Sequence, residues 1–223
     1  MFTRMELGRI GGIPIYLDVL FVLIMLVFGY RYFTSGDLQI ISLGLVVIAG
    51  VLASILLHEL GHALAGGVFG VKTREIELTG LGGVARFANA LPRSALARSA
   101  IYLAGPAVNL VLWIGLQQGA IAARGVAAPL FVSALLTLSM INFYLMAFNL
   151  LPAYPLDGGH TLDAWLGAIL GPAWSTRVVA VCGLAVCAGL VYLAFPTDVW
   201  LLILAFVLFQ ANWLAFDSVR PGR

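Results

Sequence analysis

The sequence predicts an all-α polytopic membrane protein of about six transmembrane helices, with a small membrane-associated β-hairpin after the second helix. Three observations carry that expectation. The 223 residues are 62% hydrophobic and only 10% charged, where soluble domains carry roughly 25% charged residues. The apolar residues gather in long runs, close to the ~20 residues a helix needs to cross a hydrocarbon layer. One short segment, 72–88, alternates apolar and polar residues instead.

The apolar runs fall at 14–32, 40–66, 95–122, 127–150, 175–195 and 198–216. Arg4 and Arg9 ahead of the first run resemble the start of a signal peptide. No small-residue cleavage site follows, however, and Tyr30, Arg31 and Tyr32 read as an interfacial anchor. The first run is therefore expected to be retained as a helix. Segment 158–171 is apolar but short, which predicts a partial or interfacial helix. In "KTREIELTGLGGVARFA", residues 72–88, Ile76 and Leu78 alternate with Glu75, Glu77 and Thr79, and "GLGG" supplies a turn. That pattern predicts the hairpin. The length leaves no room for a large soluble domain, so a single domain over 1–223 is expected. Cys182 and Cys187 lie in one apolar run and read as small packing residues.

The net charge of +2, without a basic cluster, gives no footing for nucleic acid. Charge does predict orientation. With a cytoplasmic N-terminus, ten of the twelve Lys and Arg residues fall inside, and only Arg31 and Arg124 fall outside. The positive-inside rule then places both termini in the cytoplasm. It also puts the 67–94 and 151–174 connections on one side.

The second run contains "LLHELGHALAG", residues 56–66. His58 and His62 are four apart, so a helix stacks both imidazoles on one face, within reach of one metal ion. Glu59 projects beside that face. This is the H-E-x-x-H arrangement of two zinc ligands and a general base. Ionisable groups in a spanning segment are costly and need partners, which favours metal binding over chance. His58 lies about 12 Å along the axis from the expected helix end at 1.5 Å per residue. The site is thus expected inside the cytoplasmic half of the bilayer.

A catalytic zinc takes three protein ligands and keeps one position open. Asp18, Glu75, Glu77, Asp163, Asp198 and Asp217 are of suitable type. The best candidates are Asp157 and His160, in "NLLPAYPLDGGH", residues 149–160. Pro152 and Pro155 disrupt a helix, and Gly158 and Gly159 permit unusual backbone angles. Irregular backbone at membrane depth is tolerated where it lines a cavity or is buried in protein. The fourth run is expected to end near Leu150, break, and present Asp157 on an extended segment. Asn109, in "AGPAVN" at 104–109, reads as a packing residue before a chemical one.

"HELGH", "AGPAVN" and "NLLPAYPLDGG", in this order over about 41–160, resemble the site-2 protease family of intramembrane zinc metalloproteases. The resemblance implies Zn2+ held by His58, His62 and Asp157, with Glu59 as catalytic base, and so prefers Asp157 to His160. It implies that Asn149 assists with substrate or the oxyanion. The implied activity is a zinc metalloendopeptidase that cleaves transmembrane protein or peptide substrates within the lipid bilayer of a prokaryotic cell membrane. No insertion long enough for a PDZ domain and no tail for a CBS pair is seen, so a bare catalytic core is expected. The alternative is a membrane zinc-binding protein or zinc transporter without proteolytic activity. Transport would want ligands along a through-path with alternating access, whereas these cluster toward one face.

Overall fold

The structure is a computed structural model and describes residues 4–80, 82–196 and 198–219. In chain order the elements are β1 (Arg4–Ile10), β2 (Ile13–Asp18), α1 (Val19–Phe33), α2 (Leu38–Val68), β3 (Thr73–Thr79), β4 (Gly82–Phe87), α3 (Ala95–Ala123), α4 (Pro129–Asn149), α5 (Asp157–Leu170), α6 (Pro172–Ala194) and α7 (Val199–Ser218). Among the described residues, α2, α3, α4, α6 and α7 are long and apolar enough to cross a membrane. The chain divides into two compact units, Met1–Leu91 with Ala107–Met146, and Pro92–Pro106 with Ala147–Arg223.

The first unit holds a four-stranded sheet in the order β1-β2-β3-β4. β1 and β2 pair antiparallel across Gly11 and Gly12, whose φ of +57° and +82° suit a two-residue hairpin turn. β2 and β3 pair parallel, with Ile15 opposite Ile76 and Leu17 opposite Leu78. This register puts four apolar side chains on one face. They are buried with Phe21 of α1 and Ile55 and Ala63 of α2. Glu75 and Glu77 alternate to the other face. There Glu75 takes Arg4 at 3.2 Å and Glu77 takes Arg86 at 2.7 Å.

The sheet corrects the sequence reading of the first apolar run. A helix over 14–32 was expected, but Ile13–Asp18 is strand and α1 has 15 residues. The Asp18 carboxylate, accepting from Leu20 N at 2.8 Å, caps α1. The mixed run "IPIYLD" is drawn into the strand because Ile15 and Leu17 find Ile76 and Leu78 as neighbours, a long-range contact that outweighs local propensity. The "GG" at 11–12 was the local signal for this hairpin.

α2 is capped by Asp37, which accepts from Gln39 N at 2.7 Å. It ends where Gly70 takes φ +75° and the Val71 N–H returns to the Gly66 carbonyl at 2.8 Å.

In the second unit, α5 and α6 are separated by Gly171 alone, at φ +83°, with Pro172 opening α6. Ala153, Leu156, Cys187 and Leu208 form a buried apolar cluster. Cys187 thus packs as expected, and both cysteines are free. Segment 150–156 is irregular, bridging the helix end at Asn149 and the start of α5 at Asp157.

Candidate metal centre

α2 carries His58, Glu59 and His62, all three buried. The i, i+4 spacing brings the two imidazoles edge to face, with ring centroids 4.7 Å apart, and their Nε2 atoms 3.1 Å apart. A zinc ion bound tetrahedrally by two imidazoles at ~2.0–2.1 Å would separate the nitrogens by about 3.3 Å. The observed spacing fits one ion between them.

His58 Nδ1 meets Asn109 Oδ1. Asn109 Nδ2 donates to Asn142 Oδ1 at 2.9 Å. Asn142 Nδ2 donates to the Leu138 carbonyl and to Ser54 Oγ, both at 2.9 Å. The Ser54 hydroxyl donates to the Gly50 carbonyl at 2.8 Å. Backbone sets the direction of this chain, because the Leu138 carbonyl can only accept. Asn142 must present its NH2 there, which turns its oxygen on Asn109. Asn109 then presents its own oxygen to His58, so Nδ1 carries the proton and Nε2 carries the lone pair a metal requires. Asn109 and Asn142 are both 0% exposed, so each broken link would strand a buried polar group at about 1–3 kcal/mol. Asn109, read from the sequence as a packing residue before a chemical one, therefore orients the His58 ring. The spacing of "AGPAVN" could not show this, because its partner lies 51 residues away.

β4 lies against the motif helix. A Cβ built at Gly83 would overlap the side chain of Glu59. Only glycine lets the strand backbone approach the carboxylate this closely.

In the second unit, Asp157 is buried and is the first residue of α5. The expected extended setting is thus corrected: the break lies at 150–156, and the carboxylate stands in the first turn of a helix, where the helix dipole favours negative charge. The glycines explain how the chain turns so tightly. A Cβ at Gly158 would strike the Leu150 and Leu151 carbonyls, and one at Gly159 would strike the Ala153 backbone. His160 stacks on Tyr102 at 4.8 Å between centroids and meets Tyr154 edge-on at 5.3 Å. Burial first, and then the nearby Asp163 carboxylate, push the Tyr154 phenol above its ordinary range. Asn149 is the last residue of α4.

Among the described residues, His58, His62 and Asp157 form a group able to hold a metal ion, their ligand atoms all within 4.8 Å of one another. His160 is not in that group. Five of the six other carboxylates considered serve elsewhere. Asp18 and Asp198 cap helices, Glu75 and Glu77 pair with arginines, and Asp163 accepts from Ser175 Oγ at 2.6 Å. Two imidazoles and one carboxylate suit zinc and leave a coordination position open, as catalytic sites do.

Fold and site together define an integral membrane protein with a group of buried residues able to hold zinc. Residues 46–122 and 113–193 match the pattern of Peptidase family M50, and the chain belongs to that family. It is similar to a zinc metalloprotease of Methanocaldococcus jannaschii, at 35% identity over 219 residues, covering 95% of this chain and 60% of that protein. Rip3 of Mycobacterium tuberculosis is 32% identical over 234 residues, covering 95% of this chain and 58% of Rip3. The chain thus spans about three fifths of the length of these relatives. The solved structure of a site-2 protease from Methanocaldococcus jannaschii superposes with a TM-score of 0.71 at 28% identity, covering 96% of this chain and 95% of that one.

Proposed function

We propose that this chain is a zinc-dependent intramembrane endopeptidase that cleaves transmembrane substrates. The grouping of His58, His62 and Asp157 beside a buried Glu59 carries the proposal. Zinc held by these three residues would lower the pKa of a bound water toward about 7 and polarise a peptide carbonyl. Glu59 acts as general base toward the attacking water and then delivers the proton to the leaving amine. The Asn149 amide donates a hydrogen bond to the carbonyl oxygen as negative charge develops there.

A helical substrate hides its carbonyls in its own hydrogen bonds and must be locally unwound. The hairpin of β3 and β4 sits at the membrane, and β4 closes one edge of the sheet. An extended substrate segment adds to that edge, beside Glu59. A side chain at Gly83 would crowd both that edge and Glu59, so Gly83→Val should slow cleavage about tenfold or more and leave bound zinc at the wild-type level. Equal rates for variant and wild type would remove β4 from the mechanism.

α1 forms the sixth span, short enough that the bilayer thins around it. Both termini face the cytoplasm, by the distribution of Lys and Arg, and the site lies in the cytoplasmic half of the bilayer. The whole chain works as one catalytic domain.

The testing experiment uses the purified chain in detergent with a transmembrane reporter peptide. Cleavage should stop on chelation and return on adding zinc. Stoichiometric zinc without cleavage of any of several reporters would instead favour a zinc-binding or zinc-transporting protein.

A further inference from the structure

Asn212 of α7 is 0% exposed, and its amide is committed to backbone. Its Oδ1 accepts from the Tyr154 N–H at 3.0 Å. Its Nδ2 donates to the Tyr154 carbonyl and to the Leu208 carbonyl of its own helix, each at 2.8 Å. The Leu208 bond fixes the plane of the amide, and the other two grip both polar groups of one residue. That residue belongs to the irregular segment between α4 and α5, three positions before Asp157. Pro152 and Pro155 lie in the same segment without an N–H to offer. Tyr154 gets from a side chain what a helix or strand would have supplied.

α6 is built to admit this side chain. A Cβ at Gly183 would overlap the Asn212 amide, so glycine there leaves the space it occupies. Around the clamp, Ala153 and Leu156 pack against Leu208 and Cys187. Gly158 and Gly159 then fold the first turn of α5 back onto Leu150, Leu151 and Ala153. The start of α5 is thus located by contacts that run through Tyr154 to α7.

We infer that Asn212 is a positioning residue of the metal centre: through the Tyr154 backbone, α7 sets where α5 begins and hence where the Asp157 carboxylate stands. The inference rests on the reading of Asp157 as a zinc ligand. A buried asparagine in a spanning helix also contributes to helix packing, and the test separates that role from positioning.

Zinc affinity of the full chain in detergent is measured by competition with a chromogenic chelator. The variants are Asn212→Leu, Asp157→Ala and the double variant, with helical content and thermal midpoint recorded for each. Asn212→Leu should weaken zinc binding about 10–100-fold, as loss of an outer-shell support does. In the Asp157→Ala background, where His58 and His62 alone hold the ion, Asn212→Leu should cause no further loss. Wild-type affinity in Asn212→Leu overturns the inference, as does an equal loss in both backgrounds, which marks a general packing role. Wild-type affinity in Asp157→Ala overturns the ligand reading itself, and the inference with it. Should Asn212→Leu fail to fold, Gly183→Ala displaces the same amide. A loss of affinity confined to the Asp157 background is expected there too, and unchanged affinity overturns the inference.

Discussion

Glu59→Gln should lower cleavage of a transmembrane reporter by roughly 10²–10⁴-fold, the usual contribution of a positioned acid–base group. Zinc content should stay at the wild-type level. The two outcomes together make the prediction specific. The amide has nearly the size of the carboxylate, so the contact with Gly83 that holds the side chain is kept. It cannot take a proton, so the water loses its base and the leaving amine its acid. Glu59 is not in the ligand group, so metal affinity is not expected to follow activity. A protein that only bound or carried zinc would show no such separation. Undiminished cleavage by Glu59→Gln would sink the assignment of the base.

Asp157→Ala should release zinc far more readily, with cleavage falling at least as far as in Glu59→Gln, while His160→Ala should retain its zinc. These neighbours share one turn of α5, yet their surroundings differ. Asp157 joins His58 and His62 within a 4.8 Å grouping. His160 is occupied by the rings of Tyr102 and Tyr154. Removing one of three ligands leaves two imidazoles, too few for the closed side of a catalytic zinc site. Removing His160 takes away an aromatic contact of about 0.5–1.5 kcal/mol, a matter of stability. Zinc retained in Asp157→Ala and lost in His160→Ala would reverse the assignment.

The active side of α2 was legible in the sequence because it depends on local geometry alone. His58 and His62 share a face by helical period, whatever the rest of the chain does. Asp157 was legible as a candidate because two prolines and two glycines announce a break in an apolar run. The bottom-up reading left His160 beside it, since both side chains follow the same break. The fold sets them apart: Asp157 groups with His58 and His62, while His160 stacks on Tyr102, 58 residues earlier in the chain.

What went unread depended on contacts between distant residues. β2 was hidden in the edge of an apolar run, and its place in the sheet comes from the pairing of Ile15 and Leu17 with Ile76 and Leu78, while β1 is held by its antiparallel pairing with β2. A 14–32 helix satisfies the same hydropathy, so hydropathy could not choose between them. Asn109, Asn142 and Asn212 look alike in sequence, each an amide in an apolar run. Two of them sit in the hydrogen-bonded chain that orients His58, and the third grips Tyr154. An amide can donate and accept in any direction, so its role is set by whichever groups the fold brings to it.

Length, helical period and backbone chemistry are local properties, so the chain's residues were enough to give the membrane setting, the shared face of His58 and His62 on α2 and the break before Asp157. The tertiary structure groups Asp157 with the two histidines, as the family resemblance implied, and it alone decided which nitrogen of His58 meets Asn109 and which strand backbone lies against Glu59. Those outcomes rest on directional hydrogen bonds and close backbone approaches between segments far apart in the chain, and no local pattern encodes their direction.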